Sequence, residues 1–238
     1  MNDETTTTQL PPTHKPRPMV DLLVSILIPS VILMKLSGLE HLGPGGALVF
    51  ALAFPLGWGT FELFKYRKFN FIALLGLVSV LLTGGIGLLQ LSPEWLAVKE
   101  AAIPAIIGIA VLISTYTPYP LIRTLVYNPR IMDIEKIDMK LHELGNRQIF
   151  ESRLQNATYF LSGTFLFSAI MNYLLATWIV ISPAGTSAFN EELGKMTLLS
   201  YPMIAIPSTV MMIAILFYLW RTIRLLTGYK LEEIINTP

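Results

Sequence analysis

Six stretches of mostly apolar residues, separated by short polar segments, constrain this chain more than any other feature of its sequence. A helix needs about 20 consecutive apolar residues to cross the hydrocarbon core of a bilayer. These stretches are that long or nearly so, and the first is the shortest. The sequence therefore predicts an all-α polytopic membrane protein with six transmembrane helices, at about 20–36, 45–64, 71–91, 95–117, 157–182 and 198–220.

The composition supports a lipid-facing surface. Hydrophobic residues make up 53% of the chain and charged residues only 14%, whereas a soluble domain is about 25% charged. A net charge of +1 gives no electrostatic field that would attract nucleic acid, so no nucleic-acid partner is expected. The absence of cysteine excludes disulfides, iron–sulfur clusters and thiol nucleophiles.

The basic residues predict an orientation. With the N-terminus on the cytoplasmic side, all but three of the 17 lysines and arginines fall on that side of the membrane. The exceptions are Lys35, Lys99 and Lys195. Because basic residues are enriched in cytoplasmic loops, both termini are predicted to be cytoplasmic. The six helices then form three hairpins, each with its turn outside.

The segments between these helices complete the predicted organisation. A disordered cytoplasmic tail (1–19) precedes transmembrane helices one to four (20–120). A cytoplasmic amphipathic loop (121–156), helices five and six (157–220) and a cytoplasmic tail (221–238) follow.

In the loop, helical periodicity places four apolar residues on one face, with Gly145 positioned to end the helix. We expect this amphipathic helix to lie on the inner membrane surface or to pack under the bundle. The four residues are Ile134, Ile137, Leu141 and Leu144.

Two adjacent charges, Lys99 and Glu100, interrupt the fourth apolar stretch. Ser92 and Pro93 suit the N-cap and first position of that helix, which places Lys99 about 9 Å inside its start. Helical phase puts Glu100 beside a small-residue stripe suited to close helix packing and points Lys99 almost opposite, where it can snorkel to the outer surface. The stripe is Ala97, Ala101, Ala105 and Gly108.

Two interpretations of this pair stay open. In the first, Lys99 anchors the helix and Glu100 pairs with Lys195 or Lys35. In the second, the pair and the outer turn before the sixth helix form an outer-facing polar pocket. The pocket would contain Lys99, Glu100, Asn190, Glu191, Glu192 and Lys195.

Other polar and small residues in the apolar stretches favour packing roles. Asn172 is predicted to make an interhelical hydrogen bond, and Gly84, Gly85 and Gly87 mark a kink or a close helix crossing, of which the crossing is the commoner. The sequence contains no phosphate loop, dinucleotide fingerprint, HExxH or GxSxG element, and its three histidines are far apart. We therefore expect no catalytic residues, no metal site and no cofactor.

Parts of the sequence resemble a known family. The runs "YRKFNFIALLGLVSVLLTGGIGLLQL", "WLAVKEAAIPAIIGIAVLIS", "PLIRTL" and "FLFSAIMNYLLA" resemble the bacterial intracellular septation protein A (IspZ) family over roughly residues 60–180. The resemblance implies a multi-pass protein of the bacterial inner membrane. It also implies a non-enzymatic role in envelope maintenance or septation through membrane-protein partners.

The small-residue faces would serve equally for contacts within one chain or in a homo-oligomer. The alternative function is a small-solute or ion transporter or channel that uses the outer polar pocket.

Overall fold

The computed structural model describes residues 19, 22–66, 71–117, 120–125, 127 and 132–234. Regular structure within these residues is helical, which confirms the predicted all-α class. A π-helical turn, Leu23–Leu27, precedes the first α-helix, a second, Tyr201–Ala205, joins the last two, and a 3-10 turn covers Leu231–Glu233. The α-helices of the described residues are α1 (Ile28–Lys35), α2 (Gly43–Tyr66), α3 (Phe71–Leu88), α4 (Glu94–Ser114), α5 (Leu121–Leu125), α6 (Ile134–Glu143), α7 (Arg147–Ile179), α8 (Ser187–Ser200) and α9 (Ile206–Thr227).

Four helical segments of the described chain are long and apolar enough to cross a membrane. They are Gly43–Phe61, Glu94–Ser114, Arg147–Ile179 and Ser187–Thr227. These helices identify a membrane protein. The first and third predicted spans correspond to shorter apolar helices, Leu23–Lys35 and Val78–Leu88, so six spans in three hairpins remain a prediction.

Both π-helical turns lie directly before a proline. The N–H of Ile28 bonds the carbonyl of Leu23, and Pro29 follows; the N–H of Ile206 bonds the carbonyl of Tyr201, and Pro207 follows. A proline ring clashes with the carbonyl four residues earlier and provides no N–H for it. Widening the turn before the proline relieves this clash while the helix continues.

The chain forms two compact units, and each is described by itself. The first contains Met1–Leu96 and Trp178–Leu198. In it, a Cβ on Gly84 would meet Leu52 and a Cβ on Gly87 would meet Leu48, so α3 crosses α2 closely at its glycines. The close crossing expected for this glycine cluster is confirmed. Gly194 of α8 likewise packs on α1, where an added Cβ would lie 2.9 Å from the carbonyl oxygen of Ser30.

The second unit contains Ala97–Thr177 and Leu199–Pro238 and has an apolar core around α6. Ile137 and Leu141 of α6 are fully buried there, among residues that include Leu154 of α7, Ile223 of α9 and Ile234. The Asp133 side chain caps α6 by accepting from the N–H of Lys136. Gly145 follows the helix with a φ of 67°.

The amphipathic helix predicted in the loop is therefore present, and it packs under other helices of its unit. Leu144, predicted on the same apolar face, is instead 48% exposed because it lies beyond the end of α6.

Helix α7 begins earlier than the sequence analysis placed it. The predicted loop runs to residue 156, but α7 is continuous from Arg147 to Ile179, 33 residues. At 1.5 Å per residue it is about 50 Å long, well over the roughly 30 Å hydrocarbon core. Phe150, Leu154 and Ala157 are buried at helical spacing, so packing extends the helix through its polar first turns.

Gly108, the last residue of the small-residue stripe of α4, has the predicted packing role. A Cβ on Gly108 would lie 3.0 Å from Cβ of Phe165 on α7, so the two helices approach closely there. The hydroxyl of Ser162 donates to the Gly108 carbonyl at 2.9 Å. Small residues permit such backbone approach in membrane helices, and the carbonyl hydrogen bond becomes possible as a result.

Candidate functional site

The two adjacent charges of α4 form an ion pair with each other. Nζ of Lys99 lies 2.6 Å from Oε1 of Glu100, and the two side chains are 8% and 23% exposed. The expectation that Lys99 points away from Glu100 and snorkels to the surface is wrong. The lysine stem is long and flexible enough to bend toward the next residue, and a charge buried among apolar groups is stabilised most by an opposite charge at close range.

The pairing that the sequence analysis suggested for Glu100 is therefore also corrected. Its ionic partner is Lys99, whereas Lys195 pairs with Glu191 at 2.7 Å, one turn apart on α8. Both side chains of the Lys195–Glu191 pair are 49% exposed. An exposed i,i+4 pair of this kind stabilises a helix only slightly.

Asn190 is a buried structural residue of the first unit. It is 1% exposed, and its Nδ2 donates to Oγ of Ser37 at 3.1 Å and to the carbonyl oxygen of Pro44 at 2.7 Å. Oγ of Ser187 donates to the carbonyl oxygen of Ser37 at 2.5 Å. These bonds attach α8 to the turn between α1 and α2, so the amide is committed to the fold.

Glu192 binds the backbone that precedes α8. Its carboxylate accepts from the N–H groups of Ile181 and Ser182 at 3.0 and 2.8 Å, and from the Ser182 hydroxyl at 2.7 Å. Three donors to one carboxylate make strong, charge-assisted bonds. This glutamate therefore fixes the connection between α7 and α8.

The six residues of the predicted pocket are thus distributed over both units. Four lie in the first unit and two in the second. In each unit, the pocket residues form hydrogen bonds or ion pairs with residues of the same unit, as described above. The six-residue pocket remains a prediction.

Asn172 makes a hydrogen bond within its own helix. Its Nδ2 donates to the carbonyl oxygen of Ser168 at 2.8 Å. The interhelical polar contact in this part of the second unit lies one turn earlier, where Oγ of Ser168 is 3.0 Å from Oγ of Ser208 on α9. A short amide on a helix reaches the carbonyl four residues before it more easily than a neighbouring helix.

A second polar cluster borders the core around α6, and the sequence analysis did not find it. Tyr127 donates to Oδ1 of Asp138 at 3.1 Å, and Arg123 pairs with Glu151 of α7. Burial, followed by the charge and hydrogen bond of Asp138, raises the pKa of Tyr127 well above its usual value. The one signal in the sequence is the position of Asp138, directly after the buried Ile137.

An open cavity of about 390 Å³ lies on the first turns of α7, in the second unit. Among the described residues, its lining provides one guanidinium, two amides and one hydroxyl, with a single apolar residue and no carboxylate. The lining residues are Gln148, Ile149, Ser152, Arg153 and Asn156.

In the described ranges, no three histidine, aspartate or glutamate side chains lie close enough together to hold a metal ion.

Comparison with known proteins is negative: no family model, no curated protein and no solved structure matches the chain.

Proposed function

We propose that this chain is a non-enzymatic, multi-pass protein of the bacterial inner membrane that acts in envelope maintenance or septation by binding membrane-protein partners. In this proposal it has six transmembrane helices in three hairpins and cytoplasmic termini, as the basic residues favour. The septation role rests on the family resemblance of the sequence. The structural observation that carries the non-transport, non-enzymatic part is the engagement of its polar side chains.

Two polar residues of the predicted pocket, Asn190 and Glu192, are bound to groups of their own unit. Asn190 holds Ser37 and Pro44, and Glu192 holds the backbone at Ile181 and Ser182. A transport site needs polar groups that exchange partners with a solute near the middle of the membrane. Groups that already hold the fold together fit a scaffold better than a transport path.

The partner surface is not the apolar face of α6. Ile137 and Leu141 of that face are fully buried in the core of the second unit. Replacing them with aspartate would disrupt the unit itself, so lost partner capture would carry no information. The outer face of α6, where Met139 is 67% exposed, is the surface available to a partner.

Single-cysteine labelling tests this proposal, since the chain has no cysteine of its own. Intact cells are treated with a membrane-impermeant maleimide after cysteine is placed at one of six positions of α4. We expect labelling at the first position only, because the second is buried and a scaffold admits no water deeper along the helix. The positions are Trp95, Lys99, Ala102, Ile103, Ile106 and Ile107.

A cysteine at Met139 provides the matched topology control. It is exposed on α6 and should label only after the cells are permeabilised, because the proposal places α6 in the cytoplasm. Labelling of this position in intact cells would contradict the orientation. A fluorescent fusion that is spread evenly over the cell, with no enrichment at the division site, would contradict the septation role.

The alternative function, a small-solute or ion transporter or channel, is favoured by one observation. The Lys99–Glu100 pair is mostly buried within an apolar helix, and charged groups inside membrane helices often mark transport routes. Labelling that continues along one face to positions 103 and 107 would show water deep in the bundle and would replace the scaffold proposal with the transporter.

A further inference from the structure

The cavity on α7 combines four unengaged polar side chains on one face of the helix. Within the described part of the chain, no hydrogen bond or ion pair involves the side chains of Gln148, Ser152, Arg153 or Asn156. Elsewhere on the same helix, the hydroxyls of Thr158, Thr164 and Thr177 all bond carbonyls of their own helix. The side chains of the cavity therefore keep their donors available to a ligand.

The hydrogen-bond donors that line the cavity favour an anionic ligand. Arg153 provides a planar, permanently charged fork that binds phosphate with two parallel hydrogen bonds. The amides of Gln148 and Asn156 and the hydroxyl of Ser152 add neutral donors. The nearest acidic side chain along the helix, Glu151, points to another face and pairs with Arg123. The described residues of the lining bring no negative charge that would oppose an anion in the cavity.

The polarity of α7 along its length predicts that the cavity lies at the depth of lipid headgroups. The first ten residues of α7 are mostly polar, and from Ala157 onward the helix is mostly apolar and contains no charged residue. Asn156 is the last residue before that change, and Arg153 lies one turn before it, about 4.5 Å along the axis. Tyr159, in the next turn, has the character of an interfacial belt residue.

An apolar track continues from the cavity along the same face of α7. At 3.6 residues per turn, the face of residues 148, 152 and 156 continues through Gly163, Leu166 and Ile170. Leu166 and Ile170 are exposed, and a Cβ on Gly163 would meet nothing within 4 Å. The core residues Phe150, Leu154 and Leu161 lie on the opposite side of the helix. The track thus faces away from the core and has a notch at its glycine.

We propose that this face of α7 binds one anionic phospholipid, with its phosphate on Arg153, Ser152, Asn156 and Gln148 and an acyl chain along the track past Gly163. Basic pockets at the membrane surface recognise anionic headgroups in this way. The continuity of the polar cavity with an apolar track is what selects a lipid over a free phosphate. The inference stands independently of the proposed scaffold function.

Native mass spectrometry of the purified full chain in detergent tests this inference, with phosphatidylglycerol and phosphatidylcholine as the probes. We expect preferential retention of phosphatidylglycerol and about tenfold weaker binding in Arg153→Gln, since a charge-assisted bidentate contact is lost. Arg147→Gln is the matched control, because Arg147 is an exposed arginine of the same helix outside the cavity. It should bind like the wild type.

Two further measurements separate the lipid from a free anion. Gly163→Phe fills the notch and should weaken phosphatidylglycerol binding several-fold with an unchanged circular dichroism spectrum. Inorganic phosphate at about 10 mM, a large excess over the lipid, should not displace the lipid. Displacement by phosphate, equal retention of both lipids, or an equal response of Arg147→Gln and Arg153→Gln would each overturn the inference.

Discussion

Lys99 and Glu100 are neighbours in the sequence, and their side chains nevertheless meet, with 2.6 Å between Nζ and Oε1. Consecutive residues of a helix normally point about 100° apart, so i,i+1 side chains do not face each other. The lysine must bend toward the glutamate to make this contact. The gain from pairing two partly buried charges exceeds the loss of lysine freedom.

Breaking this ion pair should show that the contributions of Lys99 and Glu100 to stability are strongly coupled. Lys99→Met and Glu100→Gln should each lower the free energy of unfolding by about 2 kcal/mol, because each removes one partner of a mostly buried ion pair. The double variant should recover most of that loss. Unfolding of the four proteins by a denaturing detergent gives the comparison, and additive losses would exclude coupling.

Asn190 and Glu191 are adjacent on α8 and should respond very differently to substitution. Asn190→Leu removes two buried hydrogen bonds and leaves the Pro44 carbonyl without that donor, so we expect a loss of about 2–3 kcal/mol. Glu191→Gln weakens an exposed pair and should change stability by less than about 0.5 kcal/mol. Thermal unfolding of both variants tests this. Similar midpoints would show that the buried amide is not structural.

The two faces of α6 provide a second matched comparison. Ile137→Ala removes a fully buried side chain and should lower stability by about 2–4 kcal/mol. Met139→Ala changes a side chain that is 67% exposed and should stay within about 0.5 kcal/mol of the wild type. If Met139→Ala instead loses partner binding at unchanged stability, the outer face of α6 is the partner surface.

Tyr127 should make stability depend on pH at the alkaline end. Burial and the neighbouring Asp138 raise the pKa of Tyr127 in the folded protein, whereas the unfolded chain releases this proton near pH 10. Below that pH both states hold the proton and the contribution is constant. Above it only the unfolded state loses the proton, so stability falls as pH rises.

A variant without the tyrosine hydroxyl isolates this pH dependence of stability. Tyr127→Phe removes the titrating group together with the bond to Asp138, so it should be about 1 kcal/mol less stable than the wild type at pH 8. The difference should shrink steadily above pH 10. A difference that is the same at pH 8 and pH 11 would mean that Tyr127 titrates normally.

Much of the architecture was predictable because it depends on local pattern. Apolar length located the long helices, heptad-like spacing located α6 with its buried Ile137 and Leu141, and glycines located the α2–α3 crossing. These features follow from composition and periodicity along a single segment. They need no knowledge of which distant residues meet.

The candidate site was less predictable because its contacts depend on side-chain choice and distant pairing. Helical phase separates Lys99 from Glu100, and only the flexibility of the lysine brings them together. Asn190 reaches Ser37, which is 153 residues away. The early start of α7 was missed for another reason: its first turns are polar, and burial of Phe150 and Leu154 against the core makes them helical.

Ile234 completes the core of the second unit, so this core can form only after nearly the whole chain has been synthesised. Nζ of Lys136 donates to the carbonyl oxygen of Glu233, 97 residues later, and Ile234 completes the core around Ile137. At elongation rates of about 5–20 residues per second, α6 waits roughly 5–20 s for these residues. Throughout that interval its apolar face lacks the part of its native cover that α9 and Ile234 provide. The nascent chain therefore depends on the membrane surface or a chaperone to shield α6 until α9 and the following turn arrive.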